Sequence, residues 1–289
     1  MIGAGGFVGR HVMRGFECER FIVTPFFGPD DAVDEPRTPF FRGDVRDEAL
    51  LERALDGAEL VIHAAGPPSV ADSFSDPNRY VDIHVRGTAL VAAAARAAGV
   101  RRLLYVSSAE VYGQGGARVT EEPPPQPVSP YGAAKLAAEW MVRTIHATDG
   151  HRPIVLRPFS LYGLGMRADG VVGRIVQAIR EGAPLHLQTL APVRDFLHID
   201  DLIDLMLTLV EHPDPPAIVN GCSGTGISIG ELAETALRLA GRRDLPHSNG
   251  ALSRPNDITM LVGEPSLAEG LGWRPSRSLT EGLAEMIGP

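Results

Sequence analysis

The hydrophobic positions of this chain form short apolar runs that alternate with longer amphipathic stretches. Residues 60–65 are apolar and end in small side chains, as expected for a strand buried in a parallel sheet. Further strands are predicted over 21–24, 39–45 and 102–107, and an alanine-rich helix over 86–99. Strands that alternate with helices of about 10 to 15 residues indicate an α/β fold with a doubly wound parallel sheet.

The pattern changes character after residue 160. A glycine-rich crossing at 162–166 is predicted to lead from one region of the chain to another. We expect a Rossmann-type dinucleotide-binding domain over 1–160, to which residues 196–222 return. A smaller substrate-binding lobe is expected over 161–195 and 223–289.

Three glycines, Gly3, Gly6 and Gly9, open the chain ahead of a predicted helix. In a dinucleotide-binding fold such glycines let the backbone turn tightly and approach a pyrophosphate, which binds to amides at the helix N-terminus. Phe7 and Val8 lie within this spacing and are predicted to contact the same cofactor. Only two residues precede Gly3, so the first strand is expected to be truncated or reduced to a stub.

Composition is that of a soluble globular protein. The 289 residues are 44% hydrophobic and 22% charged, enough for one large core or two unequal lobes. No apolar run approaches the roughly 18 residues of a membrane helix and no leader opens the chain, so we expect a cytoplasmic protein without a membrane partner. The net charge of −9 disfavours nucleic acid as a partner, and Cys18 and Cys222 fit no metal site.

Tyr131 and Lys135 are four residues apart in a predicted helix, so their side chains share one face. Lys135 is the only lysine of the sequence, which indicates a position that arginine cannot fill. An ammonium beside a phenol lowers the tyrosine pKa from its reference near ~10, and such a tyrosine can act as a general acid or base. Ser107 and Ser108 end a predicted strand, so a serine hydroxyl and Tyr131 are expected to converge on one substrate atom.

These motifs occur in order along almost the whole chain, and together they resemble the extended short-chain dehydrogenase/reductase family. This is the NAD-dependent epimerase/dehydratase group that acts on nucleotide-activated sugars. The matching segments are the loop from Gly3 to Gly9, Gly43-Asp44-Val45, Val61-Ile62-His63-Ala64-Ala65, Ser107-Ser108-Ala109-Glu110-Val111-Tyr112-Gly113, Tyr131 with Lys135, Leu156-Arg157-Pro158-Phe159, the segment from Arg194 to Asp201, and Leu271-Gly272-Trp273.

The resemblance implies a role for each catalytic candidate. Tyr131 would be the acid or base at the sugar C4 oxygen, and Ser108 would hydrogen-bond the same oxygen. Lys135 would hold the nicotinamide ribose and lower the Tyr131 pKa. Glu110 corresponds to a glutamate that acts near C5 in dehydratases and uronic-acid decarboxylases.

The resemblance also implies the ligands and the assembly. The cofactor would be NAD or NADP, and the substrate a nucleoside-diphosphate sugar. Cofactor contacts beyond the glycine loop are expected from Asp44, Val45, Ala64, Ala65, Tyr131, Lys135 and Pro158, and substrate contacts from Ser160, Arg194 and Arg254. A homodimer would form through the helices over 86–98 and 131–146.

Three of these roles have a structural alternative. Asp44 either accepts from the adenine amino group or serves as N-cap of the next helix. Glu110 acts in chemistry or only as a structural hydrogen-bonding group. Arg194 grips the substrate phosphates or forms a surface ion pair with Asp195 or Asp200.

Several positions depart from the family pattern. Ala109 replaces the aspartate that protonates the departing C6 oxygen in 4,6-dehydratases, which argues against sugar 4,6-dehydration. His84 stands where asparagine is usual, and Ser160 where many members have a substrate-binding asparagine. Neither a carboxylate nor an arginine follows Thr24 at the end of the predicted second strand, so the choice between NAD and NADP stays open.

The function predicted from the sequence is therefore oxidoreduction at C4 of a nucleoside-diphosphate sugar, by a 4-epimerase or a 4-ketoreductase. One alternative is a uronic-acid decarboxylase that uses Glu110. Another is a catalytically degenerate, cofactor-binding or RNA-associated protein, which retention of Ser108, Tyr131 and Lys135 opposes.

Overall fold

The structure is a computed structural model that describes residues 1–18, 21, 23–31, 39–146, 153–168, 170–242, 247–248 and 257–288. Its strands are β1 Phe26–Phe27, β2 Phe41–Arg42, β3 Leu60–His63, β4 Arg102–Val106, β5 Gly116–Val119, β6 Ile154–Pro158, β7 Ser160–Tyr162, β8 His186–Leu187, β9 Val193–His198, β10 Ile218–Gly221, β11 Gly226–Ser228, β12 His247–Ser248 and β13 Met260–Gly263. Its α-helices are α1 Phe7–Cys18, α2 Glu48–Leu55, α3 Val70–Ser75, α4 Pro77–Tyr80, α5 Thr88–Ala97, α6 Pro130–Ile145, α7 Val171–Arg180, α8 Ile199–Glu211, α9 Ile229–Leu239, α10 Ser266–Gly270 and α11 Leu279–Ile287. A π-helix, Val81–Gly87, leads into α5, and a 3-10 helix, Ala109–Tyr112, follows β4.

The first sheet is parallel and has the order β2, β1, Ile2, β3, β4, β6, β10. Ile2 forms bridges to Phe26 and His63; its amide donates to the Ile62 carbonyl, and its carbonyl accepts from the Ala64 amide. One residue thus fills the place of the first strand, as the predicted stub. The strand order reverses at Ile2, and such a reversal opens a crevice at the carboxyl ends of the strands.

Helices cover both faces of this sheet. Strand side chains alternate between the two faces. Ile62 and Leu104 belong to a buried cluster with α1 and α8, whereas Val61 and Leu103 belong to a second cluster with α2, α5 and α6. The predicted doubly wound α/β fold is therefore confirmed.

The position of the second strand was predicted wrongly. The strand is β1, and Phe21, Val23 and Thr24 of the predicted segment lie outside any strand, whereas Ile22 is not among the described residues. The Phe26 amide donates to the Met1 carbonyl, and the Phe26 carbonyl accepts from the Gly3 amide, so pairing with Ile2 selects this segment. A β-branched composition does not determine which residues of a run are paired, because pairing depends on the neighbouring strand.

The second sheet has the order β11, β9, β13, β5, and β7 pairs with β9. Helices α7, α9 and α11 pack together through buried residues that include Ile175, Leu232 and Leu283. Strand β5 comes from the region predicted as the dinucleotide-binding domain, yet it pairs with β13, so this sheet uses both regions of the chain. The predicted domain boundaries stay predictions. Among the described helices, none is long and apolar enough to span a bilayer.

Candidate active site

The first turn of α6 holds Tyr131 in a fixed position. Ser129 is the N-cap, and its hydroxyl accepts from the Gly132 amide at 3.1 Å. Pro130 occupies the first turn, where the missing amide hydrogen would have no helical partner. The Tyr131 ring is buried and lies at edge contact with two other rings, with centroid distances of 6.1 Å to Tyr80 and 5.6 Å to His84. The helix start and the aromatic packing together orient the phenol.

Ser108 meets Tyr131 from the end of β4. The Ser108 hydroxyl accepts from the Glu110 amide at 3.2 Å, and it lies near enough to the phenol to lower the pKa of Tyr131. Burial raises the pKa of Tyr131 above its ordinary value, the neighbouring Ser108 hydroxyl lowers it, and the charge of Glu110 raises it further. The structure thus brings together the serine and the tyrosine that the sequence predicts to converge.

Lys135 lies one turn after Tyr131. Its Nζ donates to the Val106 carbonyl at 2.7 Å and lies 4.9 Å from the ring centroid of Tyr105 and 6.0 Å from that of Tyr131. Burial lowers the pKa of Lys135 to about 7, and the charge of Glu139 opposes this shift. The sequence predicts a lowered Tyr131 pKa, but in the structure it is raised, because loss of water around the phenol has the larger effect.

A buried ion pair lies behind these groups. The Glu139 carboxylate accepts from Nε of Arg157 at 2.9 Å, from Nη2 of Arg157 at 2.6 Å and from the Ser107 hydroxyl at 2.5 Å. Nη1 of Arg157 donates to the Tyr112 hydroxyl at 3.0 Å. Glu139 was missed in the sequence, although a signal was present, because it follows the only lysine by four residues on the same helix.

The glycine-rich loop forms a cradle of closely packed backbone, in which a side chain at Gly3 or Gly9 would collide with other backbone atoms. Gly3 has a φ of +88°, and a Cβ there would lie 2.7 Å from the Ala65 amide nitrogen. A Cβ on Gly9 would lie 2.1 Å from the Gly3 oxygen, and one on Gly6 would lie 3.4 Å from it. The loop leads into α1 at Phe7, where the first amides have no helical partner. This geometry fits the pyrophosphate of a dinucleotide.

Asp31 lies beside the same loop, and it was missed in the sequence. Its carboxylate accepts from the Gly28 amide at 2.7 Å, and a Cβ on Gly5 would come within 2.4 Å of its Oδ2. The sequence predicts a strand that ends at Thr24, with no carboxylate after it. Because the strand actually ends at Phe27, Asp31 lies close to the strand end, where an acidic residue can bind the adenosine ribose.

The other predicted cofactor residues lie along the ends of the parallel strands. The Asp44 carboxylate accepts from Arg46, at 2.8 Å from Nε and 2.5 Å from Nη2, and these hydrogen bonds lower the Asp44 pKa. Asp44 is not the N-cap of α2; that residue is Asp47. Val45 is buried against α2 and α5. Ala64 and Ala65 follow β3 directly, and Pro158 is the last residue of β6.

A cavity of about 330 Å³ lies next to these groups. Glu110, Ser160 and Arg194 line it together, although they come from three separate parts of the chain. Arg254, the second predicted phosphate contact, lies outside the described residues. Lining residues that the sequence did not single out include Met166, Arg174 and Gln188.

Arg194 is mostly buried in the wall of this cavity. Its Nη2 lies 3.5 Å from Oδ1 of Asp257. The surface ion pair with Asp195 is not formed, because backbone amides after β10 occupy the Asp195 carboxylate at 2.8 and 2.9 Å. Asp200 pairs with a different arginine, at 2.9 Å. The guanidinium of Arg194 therefore belongs to the cavity rather than to the outer surface.

His84 is buried against the rings of Tyr80 and Tyr131. Its Nε2 lies 3.0 Å from the Pro67 carbonyl oxygen, so this nitrogen carries the proton, because a carbonyl oxygen only accepts. Burial is the main reason that the His84 pKa lies well below its ordinary value, and the charge of Lys135 lowers it further. The neutral imidazole thus joins the segment after β3 to the helix that carries Tyr131.

Comparison with known proteins agrees with this geometry. A sequence model of the NAD dependent epimerase/dehydratase family matches residues 1–221. The chain belongs to this family. UDP-glucose 4-epimerase of Streptomyces lividans is 32% identical over 260 residues, which cover 83% of this chain and 78% of that protein. GDP-6-deoxy-D-mannose reductase of Pseudomonas aeruginosa is 30% identical over 240 residues, 79% of each chain.

A solved structure from the same family has the same fold. UDP-glucose 4-epimerase of Thermus thermophilus in complex with NAD matches with a TM-score of 0.91 and 27% identity over 99% of this chain and 96% of that one. The predicted membership in the extended short-chain dehydrogenase/reductase family is confirmed. The family binds NAD or NADP and modifies nucleotide sugars by epimerisation, dehydration or reduction.

Proposed function

We propose that this protein is a nucleoside-diphosphate-sugar 4-epimerase that works with NAD. The observation that supports this most directly is the placement of Ser108 beside the buried phenol of Tyr131, one helical turn from Lys135. A hydroxyl, a phenol and an ammonium held this way are suited to moving a proton on and off a sugar oxygen.

Each residue of the site has a distinct task in this proposal. The raised pKa makes the phenolate the minor form of Tyr131; in that form Tyr131 takes the proton from the C4 hydroxyl, and it later returns this proton to the C4 oxygen. Ser108 holds that oxygen, and Lys135 stabilises the phenolate by its charge. Glu139 favours the charged form of Lys135. When bound, NAD supplies a hydride acceptor at C4.

Asp31 supports NAD rather than NADP as the cofactor. Its carboxylate lies against Gly5 of the pyrophosphate cradle, where the adenosine ribose follows in a dinucleotide fold. A carboxylate accepts hydrogen bonds from two ribose hydroxyls, whereas it repels the phosphate that NADP carries on the ribose.

The cavity supports a nucleoside-diphosphate sugar as the substrate. Arg194 presents a guanidinium there, and a guanidinium binds phosphate oxygens through paired hydrogen bonds. The Asp257 carboxylate holds the Arg194 guanidinium at 3.5 Å. A substrate phosphate would replace this carboxylate as a partner of Arg194. We propose Ser160 as a further substrate contact, and Arg254 stays a predicted one.

Two other reactions use the same groups. A 4-ketoreductase would need only that the reduced cofactor exchange between turnovers, and one relative is a reductase. A uronic-acid decarboxylase is favoured by Glu110, which lines the cavity two residues after Ser108. Ala109 is buried and carries no proton donor, which argues against 4,6-dehydration.

A substrate panel tests the proposal. UDP-, dTDP- and GDP-sugars, with and without a 4-keto group, are incubated with NAD or NADPH, and the products are identified by NMR. We expect interconversion of C4 epimers without consumption of cofactor. Saturable consumption of NADPH would instead establish a reductase, and carbon dioxide release a decarboxylase.

Tyr131→Phe links the turnover to this site. We expect turnover to fall by about 10²- to 10⁴-fold, because the general acid and base is lost. Binding of NAD, measured by fluorescence titration, serves as the control and should be unchanged. Full activity in Tyr131→Phe, or no binding of either dinucleotide by the wild type, would contradict the proposal.

A further inference from the structure

Arg10 connects two loops that are far apart in the sequence. It lies in α1, directly after the glycine-rich loop, and its Nη1 donates to the Gly5 carbonyl at 2.8 Å. Its Nη2 donates to the Gly165 carbonyl at 3.0 Å, across 155 positions of the chain. The side chain is exposed, so these two hydrogen bonds rather than packing define its position.

The segment around Gly165 also reaches the substrate cavity. Gly163 and Gly165 have φ values of +149° and +80°, and the Met166 amide donates to the Gly163 carbonyl at 3.3 Å, so the chain turns tightly here. Met166 then lines the cavity. A short path therefore leads from the cofactor cradle through Arg10 and Gly165 to the cavity wall.

The charge of Arg10 is not balanced by a carboxylate within the described ranges, since its hydrogen bonds go to two neutral carbonyls. By contrast, Arg46 is paired with Asp44, and Arg157 with Glu139. Hydrogen bonds from a guanidinium to an anion are stronger than those to a neutral oxygen. A cation in this position, beside a cradle for pyrophosphate, therefore favours an anionic ligand.

We propose that Arg10 retains the cofactor, because it holds the segment around Gly165 over the glycine-rich loop and adds positive charge beside the pyrophosphate. The inference rests on the proposed function in that the cradle binds a dinucleotide. It also bears on the reaction, since an epimerase turns over without releasing its cofactor whereas a reductase has to exchange it. Arg10 is thus the residue that favours the epimerase mode.

The test compares the wild type with Arg10→Ala, Arg10→Lys and Arg14→Ala. Arg14 is exposed on the same helix and controls for the loss of a surface charge. Bound NADH is displaced by excess NAD in a stopped-flow instrument, and its fluorescence reports dissociation. We expect about tenfold faster dissociation from Arg10→Ala, partial rescue in Arg10→Lys, and no change in Arg14→Ala.

Gly165→Ala tests the other partner of the contact. An added Cβ would meet nothing within 4 Å, but the φ of +80° is strained for alanine, so the turn that presents the carbonyl shifts. We expect faster dissociation here too. In the double variant with Arg10→Ala, the effect should be smaller than the product of the single effects, because both changes remove the same contact.

The outcomes separate this inference from the proposed function. Equal NADH dissociation from the wild type and Arg10→Ala overturns the inference. The inference is also overturned in favour of a purely structural role if NADH dissociates as fast from Arg10→Lys as from Arg10→Ala and both variants melt at a lower temperature than the wild type without cofactor. Absence of any dinucleotide binding overturns both. Faster dissociation from Arg10→Ala in a protein that turns over no nucleotide sugar supports the inference and overturns the proposed function alone.

Discussion

At the scale of single residues, the buried ammonium of Lys135 makes stability depend on pH. Its pKa is about 7 in the folded protein, against an ordinary value of 10.5, because burial disfavours the charge. Between these two values the unfolded chain binds more protons than the folded protein, so the free energy of unfolding rises with pH. Below the lower value both states are protonated, and the contribution is constant.

Lys135→Met should abolish this rise. We expect the wild type to gain up to about 2 kcal/mol of unfolding free energy relative to Lys135→Met between about pH 7 and pH 9. Urea denaturation of both proteins at the two pH values measures it, and the difference between the proteins removes the contribution of other groups. Parallel pH dependence in the two proteins would contradict a buried, titrating lysine.

Asp31→Asn should alter the choice of dinucleotide. Asparagine keeps the size of the side chain and an acceptor for the Gly28 amide, but it removes the charge. We expect the Kd for NAD to rise about tenfold and the Kd for NADP to stay equal or fall. Fluorescence titration with both dinucleotides measures this, and Asp30→Asn, at an exposed neighbour, is the matched control. An equal loss of affinity for both cofactors would count against a role at the ribose.

At the scale of elements, the local sequence pattern was enough to predict a strand or a helix face where pairing with a distant segment does not determine its position. The apolar runs predicted β3 and β4, and helical spacing put Tyr131 and Lys135 on one face of α6. The position of β1 could not be predicted, because pairing with Ile2 determines it. Asp31 and Arg10 were missed for the same reason, since loops that meet only in the folded protein define their contacts.

Helix α6 and strand β6 are joined by the buried pair of Glu139 and Arg157. Glu139→Gln leaves Arg157 buried without its counter-ion, so we expect a loss of about 3 to 5 kcal/mol of unfolding free energy. The exposed pair of Arg86 with Asp82, 3.5 Å apart, supplies the control, and Arg86→Gln should cost less than about 1 kcal/mol. Urea denaturation of both variants measures the contrast. Similar losses of unfolding free energy in the two variants would show that the buried pair stabilises the fold no more than the exposed pair does.

At the scale of the whole molecule, the site draws on both sheets. The groups proposed for proton transfer follow β4 and begin α6, beside the first sheet, whereas Arg194 belongs to β9 in the second. The cavity brings Glu110, Ser160 and Arg194 into one wall. The proposed chemistry and substrate binding therefore depend on how the two regions are held together, which is the level at which the Arg10 contact acts.

The same scale includes the homodimer that the family resemblance implies. Trp140 is 53% exposed on α6, and the Arg143 guanidinium lies 4.9 Å from its ring centroid. Tryptophan and arginine are enriched in protein interfaces. We expect a dimer for the wild type by sedimentation velocity and a monomer for Trp140→Glu, because the apolar surface of the ring is lost and a charge would have to leave water at the interface. Leu239→Glu, at an exposed apolar position on α9, should stay dimeric. A monomeric wild type, or a dimer that survives Trp140→Glu, would exclude α6 as the interface.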